Sequence, residues 1–122
     1  MSIPFVHLHV HSDYSLLDGA QRCSDIVSQA VKFGMEAVAV TDHGNMSAAF
    51  ELLKESKKQG IKGIIGCEFY VAPESCLVKD ASMANYQGYH LVCLAENHQG
   101  YVNLCHLNRE AWLKGFYYRP RV

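Results

Sequence analysis

Three histidines alternate through Phe5-Val6-His7-Leu8-His9-Val10-His11, and four of the chain's seven histidines fall between His7 and His43. Successive side chains on an extended segment point to opposite faces, so His7, His9 and His11 share one face and Val6, Leu8 and Val10 the other. A row of imidazoles is poor core material. Each buried ring needs partners for two nitrogens, and an unpaired buried polar group costs roughly 1–3 kcal/mol. Metal coordination satisfies them directly; an exposed, histidine-rich strand face is the plain alternative. A second group, Thr41-Asp42-His43-Gly44, follows the apolar run AVAV. It sits at the carboxyl end of a strand, where ligands bind in parallel sheets, although alone it also suits a helix-capping turn. If the two strands are parallel neighbours, His43 points into the same crevice as His9 and His11. Glu68 lies inside GIIGCEFYV, where a carboxylate is costly unless paired or metal-bound. Asp18, in the turn SLLDG, adds an oxygen donor over the same end, and His90 lies in a further apolar run. Nitrogen and oxygen donors without thiolates suit zinc, manganese or iron, and their number suggests more than one ion. Such clusters activate water and clamp a phosphoryl group, which makes phosphoester hydrolysis the indicated reaction class.

The elements that must position these residues alternate between strand and helix. Phe5–His11 reads as a first strand. Ser24–Phe33 reads as a helix with Ile26, Val27, Ala30 and Val31 on one face, stopped by Gly34. Ala37–Thr41 is a continuous apolar run, as in a strand covered on both faces. Met46–Gln59 is the next helix, capped by Gly60. Gly63–Val71 is a third strand, Pro73–Gly88 a loop, Tyr89–Ala95 a fourth strand and Gln99–Lys114 a last helix ended by Gly115. This order predicts an α/β fold with a mainly parallel sheet, open or barrel-like. A parallel fourth strand would carry His90, at its start, to the end away from the other candidates. The tail GFYYRPRV is expected to add no further strand, which would leave sheet edges bare and the fold unfinished. The chain thus reads as an N-terminal portion, less stable than a complete domain.

The remaining composition narrows the function classes. With 122 residues, 49% hydrophobic and 19% charged, the chain has ordinary globular make-up for about one domain. A net charge of −1 gives no whole-domain basic field for nucleic acid or membrane. Five cysteines, odd in number and without a CxxC pair, argue for a reducing compartment rather than a disulfide scaffold. Cys67 alternates away from Glu68 and is expected in the core. His98 and His106 read as surface or helix-face residues. No signal peptide or membrane-length apolar run is present, so a cytoplasmic location is expected. Tyr117, Tyr118, Arg119 and Arg121 mix aromatic and basic groups as a single-strand contact does, with packing of the tail as the preferred reading.

His9-Val10-His11-Ser12 and Thr41-Asp42-His43-Gly44 resemble the first two motifs of the PHP (polymerase and histidinol phosphatase) superfamily, and Gly66-Cys67-Glu68 resembles its Glu-bearing strand. FVHLHVHSDYSLLDGA, TDHGNM, GIKGIIGCEFYVA and GYVNLCHLNREAWLKGFYYRPR are most similar to the PHP domains that begin bacterial replicative DNA polymerase III alpha subunits. The resemblance implies a distorted (β/α)7 barrel holding up to three divalent ions, zinc or manganese. It assigns His9, His11, Asp18, His43, Glu68 and His90 as metal ligands, with Glu68 able to bridge ions. His7 stands where many members have Asp, so His7 and Asp42 are expected to support the ligands rather than bind. No catalytic residue separate from the ligands is assigned. The parent implied is a DNA-directed DNA polymerase whose magnesium-dependent polymerising centre lies in later domains. Its partners would be DNA, a proofreading exonuclease and other replicase subunits, without a membrane. A phosphatase of the histidinol phosphatase type and a catalytically silent, metal-stabilised docking module are the rival readings.

Overall fold

The computed structural model describes residues 4–16 and 18–122. An extended N-terminal segment leads into helix α1 (Cys23–Lys32), strand β1 (Ala37–Val40), helix α2 (Ala49–Gln59) and strand β2 (Lys62–Val71). Strand β3 (Tyr89–Leu94), helix α3 (His98–Leu113) and two short strands, β4 (Phe116–Tyr117) and β5 (Arg119–Pro120), complete the order. The main sheet runs β1-β2-β3, with β1 and β2 parallel. The α/β class therefore holds, with one parallel pair at its centre.

Helix boundaries follow local chemistry. Ile26, Val27 and Ala30 form the buried stripe of α1, packed with Val38, Val40 and Leu52 in one core. A left-handed residue ends α2: Gly60 has φ +75°, and the Ile61 amide returns to the Ser56 carbonyl. This helix starts three residues later than Met46, because the Asn45 side chain accepts the Ser47 amide and folds the preceding residues into a turn. In α3 the Asn97 side chain caps the helix by accepting the Gly100 amide. Leu104 of α3 packs on Cys67 and Phe69 from the back of β2, forming a second core.

Three expectations change. First, residues 5–11 do not form a regular strand. The Ala39 amide donates to His7 O and the Thr41 amide to Val10 O, three residues on one side against two on the other. One extra residue is accommodated as in a bulge, and Thr41 Oγ1 accepts the Val10 amide in place of a backbone partner. The alternation therefore breaks between His7 and His9, and Leu8 is exposed. Second, β3 runs antiparallel to β2, with Tyr70 opposite His90 and Glu68 opposite Val92. The long loop from Ala72 to Gly88 is a return, not a crossover, so the start of β3 lies beside the end of β2. Third, the tail does pair. β4 and β5 form a hairpin, Arg121 bridges Tyr70 in parallel, and residue 122 exchanges amide bonds with Tyr70 and Ala72.

Candidate metal centre

Glu68 is the hub. Strand alternation turns Cys67 and Phe69 toward α3 and leaves Glu68 and Tyr70 on the opposite face. Pairing continues beyond β1 in the same register, since His43 bridges Glu68 and the Gly44 amide donates to Glu68 O. The buried Glu68 carboxylate, 3% exposed, receives three imidazoles from two elements, the N-terminal segment and β3. His9 Nε2 bonds Oε2, with His11 Nε2 3.2 Å from the same oxygen. His90 Nδ1 lies 2.5 Å from Oε1, a diagonal reach available only because β3 is antiparallel. Burial pushes the Glu68 carboxyl up, but hydrogen bonds from His9 and His90 and the neighbouring His43 outweigh it and hold it below its ordinary value.

His43 links this cluster to the turn before α1. Its Nε2 lies 2.7 Å from Asp18 Oδ2, and its ring stacks on His11 with centroids 4.2 Å apart. Asp42 does not face the cluster; it accepts the Ser12 amide and the Ser12 and Ser15 hydroxyls. Ser15 Oγ in turn accepts the His43 amide. The carboxylate thus fixes the turn carrying Asp18 to the loop carrying His43.

Six candidates converge, and two, His7 and Asp42, do not. His9-His11-Glu68, His11-Asp18-His43 and His43-Glu68-His90 each offer three donor atoms within 4.8 Å of one another. His7 belongs to none of these groups; it is exposed and meets the edge of Phe5. The strand-end difficulty with His90 disappears with the direction of β3. Sequence reading missed Ser12, Ser15 and Tyr70. Tyr70 was accessible, because it shares Glu68's face at a spacing of two; its ring meets His90 at 5.0 Å and His43 at 5.8 Å.

The arrangement fits divalent ions. His11 Nδ1 and His43 Nδ1 are buried without a hydrogen-bond partner; His43 Nδ1 stands 3.8 Å from Glu68 Oε1, too far to bond. A buried imidazole nitrogen without a partner close to a carboxylate, as at His43, suits metal coordination. The family model of the PHP domain matches residues 7–122. The chain belongs to the PHP domain family. Among relatives of this PHP domain, the DNA polymerase III subunit alpha of Borreliella burgdorferi is 53% identical over 97% of the chain, and that of Treponema pallidum 52% over the same share. The chain spans about a tenth of the length of these curated relatives. Among solved structures, a protein from Bifidobacterium adolescentis, provisionally assigned as a metal-dependent phosphoesterase, superposes with TM-score 0.58 at 20% identity. That match covers 88% of this chain and 34% of the other, and it supports the PHP-like fold.

Proposed function

We propose that residues 1–122 are the N-terminal part of the PHP domain of a bacterial DNA polymerase III alpha subunit, and that the cluster is a divalent-metal site with phosphoesterase-type chemistry. One observation carries the metal reading: three overlapping donor triads share Glu68, His11 and His43, and two of those imidazoles hold a buried nitrogen with no partner. The polymerase reading is supported by the two relatives named above. It implies a cytoplasmic replicase acting on DNA beside a proofreading exonuclease, with magnesium-dependent primer extension in domains outside these residues. The 122-residue chain itself is then inactive as a polymerase.

His9, His11, Asp18, His43, Glu68 and His90 would hold the ions, zinc or manganese. Ions bound there supply Lewis-acid polarisation of phosphoryl oxygens and water of lowered pKa. The protein's own share is orientation. Glu68 turns His9, His11 and His90 toward one point, and Asp18 fixes the His43 ring from the opposite side. Asp42, through Ser12 and Ser15, keeps both halves in register.

Elemental analysis of protein purified without chelators is the test. At least one zinc or manganese per chain is expected, falling sharply in His43→Ala, with metal-dependent hydrolysis of a generic aryl phosphate lost in parallel. Metal at background level, unchanged by His43→Ala, overturns the assignment.

A further inference from the structure

Asn108 and Trp112 stand one helical turn apart on α3 and so share one face of it. Leu104, a turn earlier on that face, packs on Cys67 and Phe69 at the back of β2. The imidazoles gather on the other side of the strand, around Glu68. A polar residue on a packed helix face is costly unless its groups are used, and asparagine is a poor helix former. Asn108 and Trp112 both spend an N–H on the same acceptor. Trp112 Nε1 lies 2.8 Å and Asn108 Nδ2 3.2 Å from the carbonyl oxygen of Gly44. Asn108 Nδ2 also lies 3.9 Å from Cys67 Sγ, whose thiol faces Asp42 O at 3.6 Å. The residues touched are the two neighbours of His43 and a neighbour of Glu68, never the candidate ligands themselves.

The backbone explains why this support is needed. Strand β1 ends at Val40, before the loop that carries His43. Two bonds still tie that loop to β2: the Glu68 amide donates to Asp42 O at 3.0 Å, and the Gly44 amide donates to Glu68 O at 2.9 Å. At Gly44, with φ +60°, the chain then turns out of the ladder and presents its carbonyl to α3. A carbonyl that leaves a ladder inside the protein needs another partner. Two donors on its two lone pairs fix its direction as well as its position. The spacing they hold is one that no direct bond maintains, since His43 Nδ1 stands 3.8 Å from Glu68 Oε1.

We infer that Asn108 and Trp112 are positioning residues for the metal centre: from behind the sheet they clamp the Gly44 carbonyl, and through it they set the separation of His43 from Glu68. This role rests on the metal reading of the cluster and assigns to it a helix that supplies no ligand. Residues that orient ligands without touching the ion typically govern affinity about 10–100-fold. The clamp is also partly redundant, because either donor alone still holds the carbonyl. Redundancy of that kind has a measurable sign: two losses together exceed the product of the two taken singly.

Calorimetric titration of the 122-residue chain with manganese(II) is the test. Trp112→Phe, which removes only the indole N–H, should weaken binding about threefold, and Asn108→Leu about tenfold. Asn108→Gln keeps the amide and should recover part of that loss. The double variant Asn108→Leu/Trp112→Phe should lose about 100-fold, more than the product of the singles. The visible absorption of bound cobalt(II), a stand-in for zinc, should change shape in the double variant, because the ligand geometry itself has shifted. Arg109→Ala, an exposed neighbour on the same helix, should leave affinity and spectrum as they are. Urea midpoints of the metal-free proteins separate positioning from folding. A double variant with wild-type affinity and cobalt spectrum overturns the role, while metal binding by the wild-type chain keeps the metal reading standing. An affinity loss that merely tracks a matching fall in the metal-free midpoint overturns it too. A wild-type chain that binds neither manganese nor cobalt overturns the metal reading, and this role with it.

Discussion

Glu68 and Arg121 are both buried charged side chains, 3% and 1% exposed, and both sit against the same stretch of β2. Arg121 donates four hydrogen bonds to backbone carbonyls of Gly115, Tyr86, Cys76 and Val78, at 2.8–3.2 Å. Four of its five N–H groups are thereby used, and its partners are uncharged dipoles that cannot leave. Glu68 is surrounded instead by four imidazoles, two of which keep a buried nitrogen unpartnered. One charge is saturated and locks the loop before β3 to the tail. The other is left with spare donor capacity around it, as an exchangeable ion requires. Burial alone therefore does not mark a functional charge; incomplete satisfaction does.

The strongest way to break this comparison is to remove the clamp. Arg121→Met should leave four carbonyls unpaired and destabilise the fold by about 3–5 kcal/mol, read as a lower urea midpoint whether or not metal is present. Glu68→Gln should behave oppositely. Its metal-free midpoint is expected to move little, while affinity for manganese or zinc falls about 100-fold or more, beyond the ~10–100-fold typical of an outer partner. Calorimetric titration with thermal melts, with and without metal, distinguishes them. A metal-free loss in Glu68→Gln as large as that of Arg121→Met would show that both charges are merely structural.

Gly44 joins the two regions and gives a smaller effect. It has φ +60°, and a Cβ there would lie 2.6 Å from Pro120 Cγ, in the residue before Arg121. Its carbonyl accepts both Trp112 Nε1 and Asn108 Nδ2. Gly44→Ala should cost about 2 kcal/mol and also loosen metal, because His43 is its neighbour. Loss of stability with unchanged metal affinity would show that the regions are independent.

The two regions also differ in how far they can be read in advance. Glu68 is conspicuous because a lone carboxylate interrupts an apolar strand, and His9, His11 and His43 declare themselves by type and spacing. Arg121 carries no such signal. Its partners are carbonyls, which every residue possesses, so nothing in the residue types of Cys76, Val78, Tyr86 or Gly115 points to it. Helices α1, α2 and α3 follow from apolar periodicity and their caps. The direction of β3 does not, since an apolar run is alike read either way and a seventeen-residue connection (72–88) accommodates a return as well as a crossover. The bulge between His7 and His9 was equally hidden, because it arises from the match to β1 rather than from any residue inside the segment.

The smallest effect tests the core that both regions lean on. Cys23, fully buried between α1 and α2, has its thiol pushed up to about 12, first by burial and then by the negative charges of Glu51, Asp42 and Asp13. The unfolded chain releases this proton at an ordinary cysteine value, so the native state is the one that holds it more tightly. Stability from Cys23 is then fully present below about pH 8.5 and is lost as pH climbs toward the folded value. Between pH 8 and 9.5 the loss should be about 1 kcal/mol. Glu68, held below its ordinary value, keeps its charge throughout that window and does not contribute. Other thiols, tyrosines and lysines begin to titrate there as well, which is why the comparison is with Cys23→Ala. That variant should start less stable, from its small cavity, but fall less steeply across the window. Parallel slopes for the two proteins would mean that Cys23 is not sealed in the core, and that the α1–α2 layer opens without disturbing either buried charge.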